Sequence, residues 1–309
     1  MVNRYLGLIA CSITLLNTYC FSQELQPGVS GMAPSKWITF KHTQAPGARY
    51  RSANSQTQRY TQEDIYVRAW IPILHNPKYA LVLGPHYRTE QLEINTSGEN
   101  PMHQMSNWKL RSMGVDIKSF FTLGEGSYLI AASQLNKSGS LANVPLKDVP
   151  LNYSFTAVYL KKKTQDREMG LGVMVSKSQN LTILPVFVYN FNYSPKAGFE
   201  ISLPKKIAWR YNISPKDILY LKSEAVTRSY YITESSSKTG VFRKIDMDTG
   251  VLYNRQINKL IGVEVFGGYR TNISNRLPSG VVPIKTSGFT GSIELHIRPP
   301  FGSSKRSAD

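Results

Sequence analysis

Cysteine is almost absent from this chain of 309 residues. The two present, Cys11 and Cys20, both fall in the N-terminal segment before Gln23. Beyond it there can be no disulfide framework, no cysteine metal site and no cysteine nucleophile. Long apolar runs are missing as well. No stretch of about 18 apolar residues follows the N-terminal segment, so no transmembrane helix is expected. Histidine is scarce: His42, His75, His86, His103 and His296. No two of them have HExxH or other metal-ligand spacing. There is no G-x-S-x-G, Walker or dinucleotide fingerprint. Gly124-Glu125-Gly126 reads as a turn, and Gly267-Gly268 lies within a strand pattern, where glycine marks a bulge or a barrel corner. No repeat of about 20–50 residues is visible, which excludes a propeller or solenoid. These absences argue against an enzyme. They leave no catalytic residue, no metal and no cofactor to expect.

Acid is the scarcer charge, with 20 Asp and Glu against 37 Lys and Arg and a net charge of +17. In a cytosolic chain that balance would suggest nucleic acid. Here it follows an export signal. Arg4 forms a positive n-region, and Tyr5 to Leu16 is an apolar core too short to span a bilayer. Cys20-Phe21-Ser22 places small residues for cleavage before Gln23. An uncleaved anchor, or lipidation at Leu8-Ile9-Ala10-Cys11, are the alternatives. For an exported chain the partners to expect are outer-membrane lipid, lipopolysaccharide and the barrel-assembly machinery, not nucleic acid.

What the chain has is alternation. Leu181 to Tyr193 places Leu181, Ile183, Pro185, Phe187, Tyr189, Phe191 and Tyr193 on one face and Thr182, Leu184, Val186, Val188, Asn190 and Asn192 on the other. A period of two means a β-strand with different surroundings on its two faces. Similar segments recur from Lys36 to Phe301. Among them are Ile65–Ile73, Tyr79–Ile94, Trp108–Leu123, Ser127–Lys137, Asn152–Lys162 and Met169–Ser176. Phe199–Leu203, Ile207–Ile213, Ile218–Tyr231, Val241–Arg255, Leu260–Arg270 and Gly288–Phe301 continue the series. Short turns alternate with longer polar stretches such as Asn95–Asn107, Ser138–Pro150, Thr233–Gly240 and Asn272–Lys285. That asymmetry suits an outer-membrane barrel, with short periplasmic turns and longer outside loops.

The pattern therefore predicts an all-β fold: a single antiparallel up-and-down transmembrane β-barrel of about 14 strands, or 12 if the short ones merge. A soluble β-sandwich would also alternate. It would not place apolar and aromatic residues on one face of nearly every strand with charges on the other. The expected organisation is a cleaved signal over 1–22, a periplasmic lead-in over 23–35, the barrel over 36–301 and a tail over 302–309. The closing strand ends near Phe301 and resembles the aromatic-terminated signal read by the assembly machinery, although Gly302 to Asp309 follow.

Ile183-Leu184-Pro185-Val186, then Phe199-Glu200-Ile201-Ser202-Leu203-Pro204-Lys205-Lys206 and Trp209-Arg210-Tyr211, resemble an uncharacterised outer-membrane β-barrel family of Gram-negative bacteria, a domain of unknown function. The resemblance covers roughly Trp37 to Phe301. It implies a barrel in the outer membrane and no assigned activity.

The strongest constellation is the mixed-charge polar face. It comprises Arg68, His86, Arg88, Glu90, Asp116, Lys118, Glu200, Arg210, Lys222, Glu224 and Arg228. Lys244, Asp246, Asp248, Glu264, Arg270, Glu294, His296 and Arg298 complete it. In a barrel these would line the lumen, with odd residues such as Val173, Phe187 and Val263 toward lipid. Two functions follow from that face. One is a channel or porin-like transporter for small polar solutes. The other is a non-conducting barrel with a salt-bridged lumen that binds lipopolysaccharide or a partner through its loops. A lipid-modifying enzyme using His86 or His296 fits poorly, because both fall on the polar face.

Overall fold

The computed structural model describes residues 36–51, 58–76, 78–95, 109–140, 146–164, 166–178, 180–235, 238–276 and 285–298. The signal, the lead-in, the Asn95–Asn107 loop beyond Asn95, Phe301 and the tail lie outside them. The described chain is strand almost throughout. In order it runs β1 (Ile38–Arg51), β2 (Gln58–Ala69), β3 (Ile71–His75), β4 (Tyr79–Asn95), β5 (Lys109–Gly124), β6 (Ser127–Gly139) and β7 (Leu151–Thr164). It continues through β8 (Arg167–Lys177), β9 (Leu181–Asn192), β10 (Ala197–Leu203), β11 (Lys206–Ser214), β12 (Asp217–Ser235), β13 (Lys238–Gln256), β14 (Ile261–Arg276) and β15 (Lys285–Ile297).

Sequential strands pair antiparallel, and β1 pairs with β15 from Ile38↔Ile297 onward, which closes the ring. β2 and β3 both pair with β4 and are parted only at Trp70. They are one stave of the wall, so the barrel has fourteen. The break has a local cause: Trp70 turns inward and is buried, and Pro72 has no N–H for the ladder. Pro46-Gly47, which reads in sequence as an interruption, is a bulge within β1. The register shifts between Ala45 and Ala48, and Gly47 takes φ of 61°, a conformation that favours glycine.

Even-numbered residues face inward along β2 and β4 to β13, on β14 as far as Asn272 and on β15. Odd ones do so on β1 up to its bulge, where Thr39 and Thr43 are buried, and the register shift in β3 turns Leu74 outward. The outward face is apolar and exposed right round the ring. Phe40, Ile73, Leu171, Ile183, Ile207, Leu221, Val265 and Ile293 are each at least 40% exposed. A continuous belt of this kind belongs to a protein whose solvent is lipid. At the short-turn end the belt carries aromatics. Phe187, Tyr189, Phe191, Tyr193 and Phe199 follow one another at centroid spacings of 5.6–6.4 Å, and the Trp209 indole donates to the Tyr193 hydroxyl at 2.7 Å. Their amphipathic rings suit a membrane–water boundary.

The wall is uneven at the opposite end. β10 has 7 residues and β11 has 9, whereas β12 and β13 each have 19. Pairing of β11 with β12 stops at Lys206↔Glu224. Released from that neighbour, β12 leans over and meets β6 in a parallel bridge at Tyr231↔Gly139. The Tyr231 carbonyl accepts from the Ser140 N–H at 3.1 Å, and its hydroxyl donates to the Ser178 carbonyl. Tyr231, Val149 and Val241 form an apolar seam there. Much of the expected Thr233–Gly240 and Asn272–Lys285 loops is strand: β12 reaches Ser235, β13 begins at Lys238 and β14 reaches Arg276. Beyond the lipid the outward face meets water, so pairing continues after the apolar alternation ends.

Val173, 40% exposed on the outer face of β8, tests the orientation. Val173→Arg should cost on the order of 2–4 kcal/mol in unfolding titrations of the refolded barrel in liposomes. Gln134→Arg, on the inner face of β6, should cost much less. The reverse order would invert the face assignment.

Candidate functional site

The inner face gathers its charges into clusters, and the largest crosses the lumen. Glu90, on β4, is completely buried. One of its carboxylate oxygens accepts from Gln62 Nε2 at 2.9 Å and Lys244 Nζ at 2.5 Å. The other accepts from Arg228 Nη1 at 2.9 Å and the Tyr230 hydroxyl at 2.7 Å. Arg228 Nη2 also lies 3.3 Å from Asp64 Oδ2, which Arg88 approaches at 3.5 Å. Lys244 reaches Asp246 at 3.8 Å, and Asn272 donates to Asp246 at 2.8 Å. β2 and β4 are not wall neighbours of β12 and β13. These contacts therefore span the interior. They tie opposite walls together toward the long-loop end, beneath the β12–β6 bridge. Arg270 grips Asp248 with two bonds of 2.7 Å beside them.

A second cluster sits at the short-turn end. Lys36, just ahead of β1, places its ammonium 2.8 Å from Glu264 and 2.5 Å from Glu294. Burial pulls the Lys36 pKa down, but the two carboxylates more than offset this and hold it above its ordinary value. Asn254 donates to Glu264 at 2.5 Å. His296 has no exposed surface; Arg298 Nε donates to its Nε2 at 3.3 Å, and Glu294 lies 3.9 Å from its Nδ1. The ring sits close against Gly262, where a Cβ would come within 2.4 Å of its Nε2. Glu264, Glu294 and His296 offer ligand atoms within 4.8 Å of one another. The Lys36 ammonium already supplies a cation between the two carboxylates.

Smaller groups complete the face. Asp116 lies 3.6 Å from both Arg68 and His86. Lys222 bonds Glu224 at 3.0 Å. Glu200 is 3.0 Å from Lys206 and 3.3 Å from Arg210, which also donates to Asn192 and Asn212. Lys118 stands over the Trp70 ring at 4.8 Å. Many of these side chains keep part of their surface accessible: Arg68 27%, Arg88 25%, Glu200 23% and Glu224 27%. The Glu90 and Arg228 side chains, by contrast, keep almost none.

The structure corrects one expectation. Charges do not fill the inner face of nearly every strand. Across the middle of β6 to β9 that face is apolar, with Val158, Leu160 and Val186 buried and Tyr128, Met174 and Val188 half-buried around them. Trp70, Ala80, Val82 and Phe120 form a second apolar cluster, against which Ile130 packs.

With this geometry in place, the chain can be set beside known proteins. Residues 99–278, more than half of its length, match the model of a family described as a domain of unknown function, DUF6268. The chain belongs to this family. No curated protein matches this DUF6268 member. Among solved structures it is similar to the COG4313 outer membrane channel from Pseudomonas putida F1, at 12% identity over 89% of this chain and 100% of that one, TM-score 0.46. It is also similar to the P. putida toluene transporter TodX, at 7% identity over 91% and 94%, TM-score 0.42. A third is the translocator domain of the autotransporter NalP from Neisseria meningitidis, at 9% identity over 97% and 95%, TM-score 0.37.

Sequence reasoning missed Gln62, Asp64, Tyr230 and Lys36. Gln62 and Asp64 extend the even face of the Ile65 strand toward the N-terminus, so the alternation could have found them. Lys36 precedes any pattern. Glu90→Ala would leave Arg228 and Lys244 buried and facing each other, and should cost about 3–5 kcal/mol in unfolding titrations. Tyr230→Phe removes one bond to the same carboxylate and should cost roughly half of that or less.

Proposed function

We propose that this barrel is an outer-membrane channel for small polar solutes, entered from the short-turn end and narrowed toward the long-loop end. The observation that carries the reading is the partly accessible charged face that lines the interior below the Glu90 cluster. Short turns at one end and longer loops at the other support a short-turn mouth on the periplasmic side. On this reading the apolar belt contacts outer-membrane lipid and the loop end faces lipopolysaccharide. The barrel-assembly machinery acts during biogenesis. The inner-face charges are then selectivity groups as well as wall braces. Arg68, Arg88, Glu200, Lys222 and Glu224 border the accessible part. Glu90, Arg228 and Lys244 set the narrowest point. His86 and His296 act as hydrogen-bonding members of that wall and not as catalysts.

Planar-bilayer recording tests the channel. The wild-type barrel should give small, discrete conductance steps. The double variant Glu90→Gln, Lys244→Gln removes a buried pair while Arg228 keeps Asp64 and Asp246 keeps Asn272, and should raise the unit conductance severalfold. Absence of steps from both folded proteins would favour the non-conducting, loop-binding barrel instead.

A further inference from the structure

The apolar part of the inner face is ordered. Cross-strand register aligns it into consecutive rungs. One rung runs Ala80–Phe120–Ile130–Val158–Gly172–Val186 across β4 to β9. On one side lies Tyr128–Leu160–Gly170–Val188. On the other lies Val82–Lys118–Ala132–Thr156–Met174–Leu184. Inward side chains that are not buried have only the lumen to be exposed to. Tyr128, Ile130, Met174, Leu184 and Val188 are in that position. The β8 glycines cannot be replaced freely, since a Cβ at Gly172 would come within 2.8 Å of Val158 Cγ2 and one at Gly170 within 2.9 Å of Leu160 Cδ1. The strip is therefore a low apolar floor, with Val158 and Leu160 bent over the glycines.

Lys118 is the one charge in these rungs. Among the described residues no carboxylate lies within ion-pair distance of it. Asp116 beside it is engaged by Arg68 and His86. Its other electrostatic neighbours, Arg68 and Lys205, are also cations. Arg68 and Lys118 stand over the Trp70 ring at 4.9 and 4.8 Å. One end of an apolar floor thus carries an excess of positive charge over an aromatic ring.

We infer that the lumen takes a small amphiphile: an alkyl or aryl body on the rungs of β6 to β9, and a carboxylate head on Lys118 and Arg68. This rests on the channel reading for a lumen open to solute, and shifts its solute class from purely polar to amphiphilic. A purely polar solute would gain nothing from the strip. A neutral apolar one would leave Lys118 without its counter-charge.

Calorimetry on the barrel in lipid nanodiscs, with empty nanodiscs as blank, compares octanoate, octanol and acetate. Octanoate should bind about tenfold or more tightly than either of the others, since each lacks one half of the recognition. Lys118→Gln should abolish the preference for octanoate over octanol, and Lys118→Arg should retain it. Val188→Asp should weaken octanoate by about tenfold. Heat-modifiable gel mobility confirms that each variant is folded. Equal binding of octanoate and acetate would overturn the inference, because the strip would then only pack the wall. An unchanged preference in Lys118→Gln would overturn it as well. Conductance without octanoate preference rejects the inference and spares the channel. Octanoate preference without conductance rejects the channel and spares the site.

Discussion

A backbone N–H inside a bilayer has no water to bond, so every one must find a carbonyl within the protein. The pairing of β1 with β15 from Ile38↔Ile297 to Arg51↔Lys285 meets that demand by joining the first and last strands into a ring. The rest follows from it. Closure fixes one face outward to lipid and one inward. The outward face must be apolar, and the inward face is free to carry what the outer one cannot. The same demand explains how the irregular places are handled. Pro46-Gly47 is absorbed as a bulge, and the stave breaks at Trp70 without opening the wall.

Inside, the arrangement is governed by desolvation. Charges removed from water are costly unless paired and hydrogen-bonded. Glu90, the driest of them, has four donors on its two oxygens. Glu224 and Glu200, on the accessible part, make fewer contacts with longer geometry. Replacing such a cluster by apolar side chains is often neutral or stabilising in proteins generally. Its presence here is thus better explained by where it sits than by stability. It joins β2 and β4 to β12 and β13 across the interior, with bonds that a change of charge can undo.

The barrel, the turns and the inward parity were legible in the sequence because a period of two is imposed directly by lipid on one side. The charged positions followed from the same parity. Glu90, Arg228, Glu264 and His296 could be placed on one face from alternation alone. Which of them meet could not be read, since Glu90 and Arg228 are 138 positions apart and the contact crosses the lumen. The apolar strip was hidden for another reason. In the middle of β7 to β9 both faces are apolar, as in Ile183 to Val188, and alternation carries little contrast there. Strand ends were misjudged where β12, β13 and β14 continue past the lipid, since pairing in water needs no apolar face.

The short β10–β11 hairpin connects these features. A transmembrane strand needs about 9–11 residues, and β10 has 7. Above Lys206↔Glu224, one edge of β12 has no β11 to pair with. An unpaired edge is a template for another strand. β12 meets one in part by leaning across to Gly139 and Ser140 on the far side of β7–β11. That lean carries Arg228 and Tyr230 toward Glu90. The contact across the interior thus follows from one hairpin being too short to support its neighbour, with the ionic cluster formed where the displaced strand meets the far wall.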